Sequence, residues 1–329
     1  MAAIAGAGGY QGPPELTVAR AFTSWTLDLP VLAAVLLAAA LYLAGLRRMR
    51  RTGGGWPPGP AAAFGGGLAV IVIATMSFLG VYQGVLFYAR AVQTVLLLLA
   101  APLLLALGRP VSLVTAAAPR VGRRADALVR SRPARVLTFP AITALAVAGV
   151  GFLLYFTPWY EAGLRSDPVR ELTYLALLAP GWVFFWTLLR VDPVPKAYPY
   201  LVTMWVTGTE VVGDAILGLA IMADQNLIAG SYYRALGRPW GPSLRADQVI
   251  GGGALWLIGD LIGLPFLAAM LIQMMREDER EARAVDAELD AAEAGPGAAG
   301  PGHGPAGTAQ PWWESDPRFA GRFRRPGGG

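Results

Sequence analysis

The sequence predicts an all-α fold: a polytopic membrane protein built as a seven-helix transmembrane bundle, with its N-terminus outside and its C-terminus in the cytoplasm. Three observations carry that expectation. Hydrophobic residues make up 55% of the 329 residues and charged ones only 15%, for a mean hydropathy of +0.47, too apolar for a chain that faces water on all sides. The apolar residues gather into runs without charge, such as Val95 to Leu107. The basic residues fall in short clusters beside those runs, so the net charge of +5 reads as a topology signal and not as a nucleic-acid surface. A soluble enzyme, a nucleic-acid binder and a fibrous protein are disfavoured together.

A helix rises about 1.5 Å per residue and the hydrocarbon core is about 30 Å thick, so a span needs roughly 20 mainly apolar residues. Seven segments qualify: Pro30 to Leu46, Pro60 to Val81, Leu86 to Leu107, Leu137 to Thr157, Pro168 to Leu189, Tyr198 to Met222 and Val249 to Met275. Glycines and prolines inside them (Gly65, Gly66, Gly67, Pro102, Pro180, Pro265) exceed what a soluble helix accepts, but neighbouring helices in a bundle tolerate them. Arg47, Arg48, Arg50 and Arg51 follow the first span, and Arg120, Arg123, Arg124, Arg130, Arg132 and Arg135 lie between the third and fourth. Those loops are expected in the cytoplasm. The same register puts Arg190 and Lys196 inside and the loop Ala223 to Gln248 outside, where Arg234, Arg238 and Arg245 are a modest exception.

The expected organisation is an extracytoplasmic segment over residues 1–28, the transmembrane domain over 29–275, a charged cytoplasmic helix over 276–294 and a disordered cytoplasmic tail over 295–329. The N-terminal residues show no basic stretch followed by an apolar one, so no cleaved signal peptide is expected. Glu and Arg at three- and four-residue spacing favour the charged helix. The Gly/Pro/Ala tail cannot bury enough apolar surface to offset its chain entropy. Its cluster of Trp312, Trp313, Phe319, Arg322, Phe323, Arg324 and Arg325 reads as an unspecific end ahead of a docking motif.

Cysteine is absent, and His303, in the tail, is the single histidine. Charges within spans are expensive, so Arg90, Gln93 and Thr94 in the third span, Arg170, Glu171 and Tyr174 in the fifth, Glu210 and Asp214 in the sixth and Asp260 in the seventh are the informative positions. Arg90 with Thr94, Arg170 with Tyr174, and Glu210 with Asp214 are four apart, so each pair shares a helix face. Arg90, Arg170, Asp214 and Asp260 all fall in the outer half of the membrane, where Arg90 and Arg170 are expected to pair with Asp214 and Asp260 as a structural network. A proton or ion path and a weak metal or ligand site are the alternatives.

The stretch LFYARAVQTVLLLLAAPLLLALGRPVSL (Leu86 to Leu113) resembles the central signature of the CtaG-type cytochrome c oxidase assembly proteins. Leu41 to Pro58, Leu153 to Pro195 and Ile221 to Asp260 resemble actinobacterial members, so the likeness covers nearly the whole membrane domain. The resemblance implies a multi-pass protein of the bacterial cytoplasmic membrane that acts in assembly or maturation of a haem-copper oxidase, with the lipid bilayer and oxidase subunits as partners, and not an enzyme. Family members carry a histidine pair on the third span and further histidines later. Here the third-span pair falls at Arg90 and Thr94, the fifth-span pair at Arg170 and Tyr174 and the sixth-span histidine at Asp214, while the family acid is retained as Asp260.

Paired imidazoles suit copper; a guanidinium stays protonated and offers no lone pair. No metal site or cofactor is therefore expected, and copper remains only what the resemblance implies. Met204, Met222, Asp214 and Glu210 would form a mixed donor set that suits no single metal well. A retinal protein fails for want of a lysine on the last span, and a hydrolase would have only Glu210 with Asp214 as its pair. The reading is a diverged member acting as a metal-free scaffold; the alternative is a transporter or ion-conducting protein using the intramembrane Arg/Asp cluster.

Overall fold

The computed structural model describes residues 9–129, 131–195 and 198–293, and every regular element among them is a helix. In chain order these are α1 (Val18–Thr23), α2 (Leu29–Arg51), α3 (Pro58–Met76), α4 (Phe78–Tyr82), α5 (Phe87–Val95), α6 (Ala101–Leu107), α7 (Pro110–Ala117), α8 (Pro119–Val129), α9 (Arg132–Leu137), α10 (Pro140–Phe156), α11 (Trp159–Arg165), α12 (Asp167–Leu189), α13 (Tyr200–Ala223), α14 (Gly230–Leu236) and α15 (Leu244–Glu293), with a π turn at Leu96–Ala100 joining α5 to α6. Six helical stretches among the described residues are long and apolar enough to cross a membrane, and the bent pair α10 and α11 brings the number to seven. The chain divides into two units, Met1–Ile272 and Gln273–Gly329. The first contains the bundle. The second, as far as it is described, is polar helix, with Arg283 reaching Glu279 one turn away at 3.2 Å.

The expected spans are found, with three differences that have local causes. The third runs on past Leu107 to Ala117 as α7. The fourth stops at Phe156 and turns by 68° into α11, because Pro158 forces Thr157 into extended backbone. The seventh starts at Leu244 and continues through the charged stretch to Glu293, since no glycine or proline follows Pro265 to stop it. The expected tail from residue 295, with its aromatic and basic cluster and His303, lies outside the described residues, as does Lys196.

The third span is the axis of the bundle. Of its apolar window 61% is buried, against 11% for α2, which places the first at the centre and the second at the lipid-facing rim. Pro102 has no N–H to offer the Leu98 carbonyl four residues back. The helix widens there, and Ala101 N–H reaches five residues back to Leu96 O. The freed Leu98 carbonyl faces Gly181 of α12, where a Cβ would sit only 2.0 Å from its oxygen, so only glycine lets the two backbones meet. Beside it, α13 and α15 meet through Gly218 and Gly252, each of which would put a Cβ within 2.7 Å of the other's carbonyl oxygen.

Both starts of this broken helix are capped by an aspartate from far along the chain. Asp247 of α15 accepts from Phe87 N (3.1 Å) and Tyr88 N (3.0 Å) at the start of α5. At the other break Arg109 is left-handed (φ 52), and Asp192 accepts from Val111 N (3.1 Å) and Ser112 N (2.8 Å) at the start of α7. Each carboxylate satisfies orphan N–H groups and meets the positive end of a helix dipole. Asp247 also pairs with Arg238 at 3.2 Å, with side-chain exposures of 1% and 3%, and the Arg238 guanidinium lies 5.1 Å from the Trp240 ring centre.

Asp247→Ala should therefore be among the most destabilising single changes, because it leaves Arg238 buried without its counter-charge and two helix N–H groups without an acceptor, a cost of about 3 to 5 kcal/mol. Thermal unfolding in detergent reads this, and adding Arg238→Leu to Asp247→Ala should recover part of the loss. Equal stability of Asp247→Ala and the unchanged protein would overturn the clamp.

Candidate functional site

Arg90 lies one turn into α5 and is 3% exposed. Its guanidinium stacks 4.9 Å from the centre of the Tyr160 ring, inside a box made by Phe87 and Tyr155, Tyr160 and Tyr233. Phe87 is 5.7 Å from Tyr155 and 5.4 Å from Tyr160, ring centre to ring centre, and the hydroxyls of Tyr160 and Tyr233 are 2.9 Å apart. Tyr155 Oη donates to Thr94 Oγ1 (3.1 Å), which donates to Arg90 O (2.9 Å). Burial pushes the Tyr233 hydroxyl well above the ordinary tyrosine value, so it stays protonated near neutral pH and remains a donor. No ion pair among the described residues includes Arg90, and its Nη1 is buried without a hydrogen-bond partner among them. Gly163 of α11 makes room for the guanidinium: a Cβ there would stand 2.6 Å from Nη2.

A second polar group runs from a cavity into the bundle. Tyr174 Oη donates to Gln83 Oε1 (3.0 Å), and Gln93 Nε2 donates to Ala74 O (2.8 Å) and, more weakly, to Tyr174 Oη (3.5 Å). Gln83 lines a cavity of about 430 Å³ together with Thr26, Asp28, Thr75, Arg170 and Glu171. Arg170 there is paired with Asp167 (2.7 Å), three residues before it on α12, and with the adjacent Glu171 (3.4 Å).

The third group is acidic. Glu210 and Asp214, one turn apart on α13, are 3% and 8% exposed and face each other. Asp260 of α15 is their electrostatic neighbour. Glu210 Oε1 and Asp260 Oδ1 are buried without a hydrogen-bond partner among the described residues. Gly259 lets α15 approach, since a Cβ there would lie 2.7 Å from Asp214 Oδ2.

The expected pairing of Arg90 and Arg170 with Asp214 and Asp260 is thus corrected. Arg90 turns toward α11 and α14, Arg170 toward its own helix start, and the carboxylates of α13 and α15 meet one another. Depth along a span is readable from the helical rise, but the azimuth that decides which faces meet is not. Gln83, Tyr155, Tyr160, Tyr233, Asp192, Arg238 and Asp247 escaped sequence reasoning. The tyrosines sit at span ends, where aromatic residues normally mark the membrane interface, and Asp247 stands before the expected start of the last span.

Fitness for copper is decided by the donor chemistry. At the five positions that the resemblance assigns to histidines, Arg90 offers no lone pair, Thr94 and Tyr174 are committed as hydrogen-bond partners, Arg170 is ion-paired and Asp214 faces Glu210. Among the described residues, no group of three or more His, Cys, Asp or Glu side chains is placed to hold a metal ion. These residues do not fit the copper that the resemblance implies.

Comparison with known proteins places this membrane domain. The chain is 30% identical over 290 residues to uncharacterized proteins of Mycobacterium bovis and Mycobacterium tuberculosis, and 29% identical to one of Mycobacterium leprae. Each alignment covers 86% of this chain and 44% of the relative, so the chain spans less than half the length of the curated relatives it matches. No solved structure matches. The family model for the cytochrome c oxidase caa3 assembly factor matches residues 40–277, from within α2 to beyond the apolar part of α15, and the chain belongs to that family.

Proposed function

We propose that this protein serves oxidase assembly in the bacterial cytoplasmic membrane as a non-catalytic, metal-free scaffold, with its N-terminus outside and its C-terminus inside. The observation that carries this reading is the state of the family's histidine positions: four of the five are closed by partners within the chain, and none presents a copper ligand set. A scaffold needs the bundle and its exposed surfaces, both of which survive the exchange. Haem-copper oxidase subunits and the lipid bilayer are the partners this reading names. Deleting the gene should lower oxidase activity, and added copper should leave the defect unchanged. Recovery by copper, or stoichiometric copper in the purified protein lost on Asp214→Ala, would sink the metal-free role.

Orientation rests on the arginine clusters. Arg47, Arg48, Arg50 and Arg51 close α2, and the loop of α8 and α9 carries Arg120, Arg123, Arg124, Arg132 and Arg135. Reporter fusions after Arg51 and within α8 should report cytoplasm, while fusions in residues 226–237 should report the outside. The opposite pattern reverses the orientation.

The buried carboxylates Glu210, Asp214 and Asp260 support a second reading, in which the protein conducts protons or cations. The combined change Glu210→Gln and Asp214→Asn keeps the shape and removes the charge. For a scaffold it should leave oxidase assembly intact and thermal stability unchanged or raised by about 1 kcal/mol. Ion flux in liposomes that this change abolishes would instead establish the conducting reading.

A further inference from the structure

We infer that the Arg90 box is a binding site for a single carboxylate group. The inference does not depend on a role in oxidase assembly. Its first support is charge. Arg90 is buried and has no carboxylate partner for its guanidinium among the described residues. The stacked Tyr160 ring, 4.9 Å away, offsets part of the cost of burying the charge but does not neutralise it.

The second support is the count of donors. In the chain Tyr155 to Thr94 to Arg90 O, both hydroxyl protons are spent. Tyr160 and Tyr233 share one hydrogen bond, so one of their two protons has no acceptor among the described residues. Arg90 Nη1 has none either. The box therefore holds one charged and one neutral donor unspent, and what it lacks is an acceptor with negative charge.

The neighbouring ion pairs set the size of that charge. Arg165 is held by Glu161 at 2.6 Å, Arg238 by Asp247 at 3.2 Å and Arg170 by Asp167 at 2.7 Å. Of these four arginines Arg90 alone lacks a carboxylate partner among the described residues, and its single charge is matched by a monoanion. A carboxylate has one oxygen for the guanidinium and one for the spare hydroxyl. Tyr155 and Tyr160 also wall a cavity of about 300 Å³ lined by Thr157, Glu161, Asp224 and Ala229, so two walls of the box border open space. Of its two acids, Glu161 is taken up by Arg165 and Ser231, and Asp224 accepts from Asn226 N at 2.9 Å.

The carboxylate could belong to a small solute entering by the cavity or to a fatty acid entering from the bilayer, and the test separates them. The full chain in detergent is titrated with sodium acetate replacing sodium chloride at fixed pH and ionic strength. The unfolding midpoint and the tyrosine ultraviolet difference spectrum are read, and the titration is repeated in mixed micelles containing oleate. A saturable rise in midpoint with a tyrosine signal is expected, and Arg90→Gln should weaken it at least about tenfold. Displacement of acetate by oleate assigns the ligand to the bilayer; acetate binding indifferent to oleate assigns it to the aqueous side. Arg90→Gln itself should unfold no earlier than the unchanged protein in chloride, since it removes an uncompensated charge. Should that variant fail to fold, Gly163→Ala pushes on Nη2 while keeping the charge, and it should weaken acetate binding several-fold. No saturable response to either carboxylate, or a response that survives the variant tested, overturns the site.

Discussion

The start of α5 is the point on which the bundle depends. Its first N–H groups need acceptors in a setting where water is scarce, and none lies near in sequence. Asp247, some 160 residues away, supplies both of its oxygens. That carboxylate is costly to bury alone, so Arg238 comes with it, and the Arg238 guanidinium in turn rests on Trp240, whose ring packs against Tyr82 and Tyr10. One helix start thus ties the third span to the seventh, to the loop before it and to the N-terminal segment. Asp192 repeats the device at α7. Because the third span is the most buried, fixing its two starts fixes the surface on which α2, α3 and α12 are laid.

With the axis fixed, the charges inside the bundle sort by side. Arg90 faces aromatic rings, while Glu210, Asp214 and Asp260 face one another and the glycines of α15. Neither side uses the other. A guanidinium can be accommodated by ring faces, so a buried ion pair is not the only way to lower the cost of charge in a membrane. The arrangement leaves each side with an unfinished atom: Nη1 of Arg90 on one, Glu210 Oε1 and Asp260 Oδ1 on the other.

The helices were legible in the sequence because length and hydropathy are local quantities. Six spans and the bent pair follow the expected segments, and the family likeness read from Leu86 to Leu113 agrees with the matched region. The azimuths were not legible. Arg90 and Asp214 lie at similar expected depths, yet α5 presents Arg90 to α11, whose entry angle is set by Pro158 and whose approach is set by Gly163. Neither residue announces that role in a single sequence. Asp247 was passed over for a related reason: at the edge of an apolar segment, a buried capping aspartate looks the same as a solvated loop residue.

The histidine positions then show how a site can lose its chemistry without losing its fold. Thr94 fills its place by bonding the Arg90 carbonyl and Tyr155, Tyr174 by joining Gln83 to Gln93, Arg170 by pairing along its own helix, and Asp214 by facing Glu210. Each of these four replacements meets a group already in the chain, so none calls for a bound ion to hold the helices. Arg90 differs. It stands where four aromatic rings converge, with a charge that no described residue answers and a glycine opposite that keeps its place open. Packing alone would be served by a leucine or methionine there at lower cost, and a guanidinium in that box is what the proposed carboxylate ligand would require.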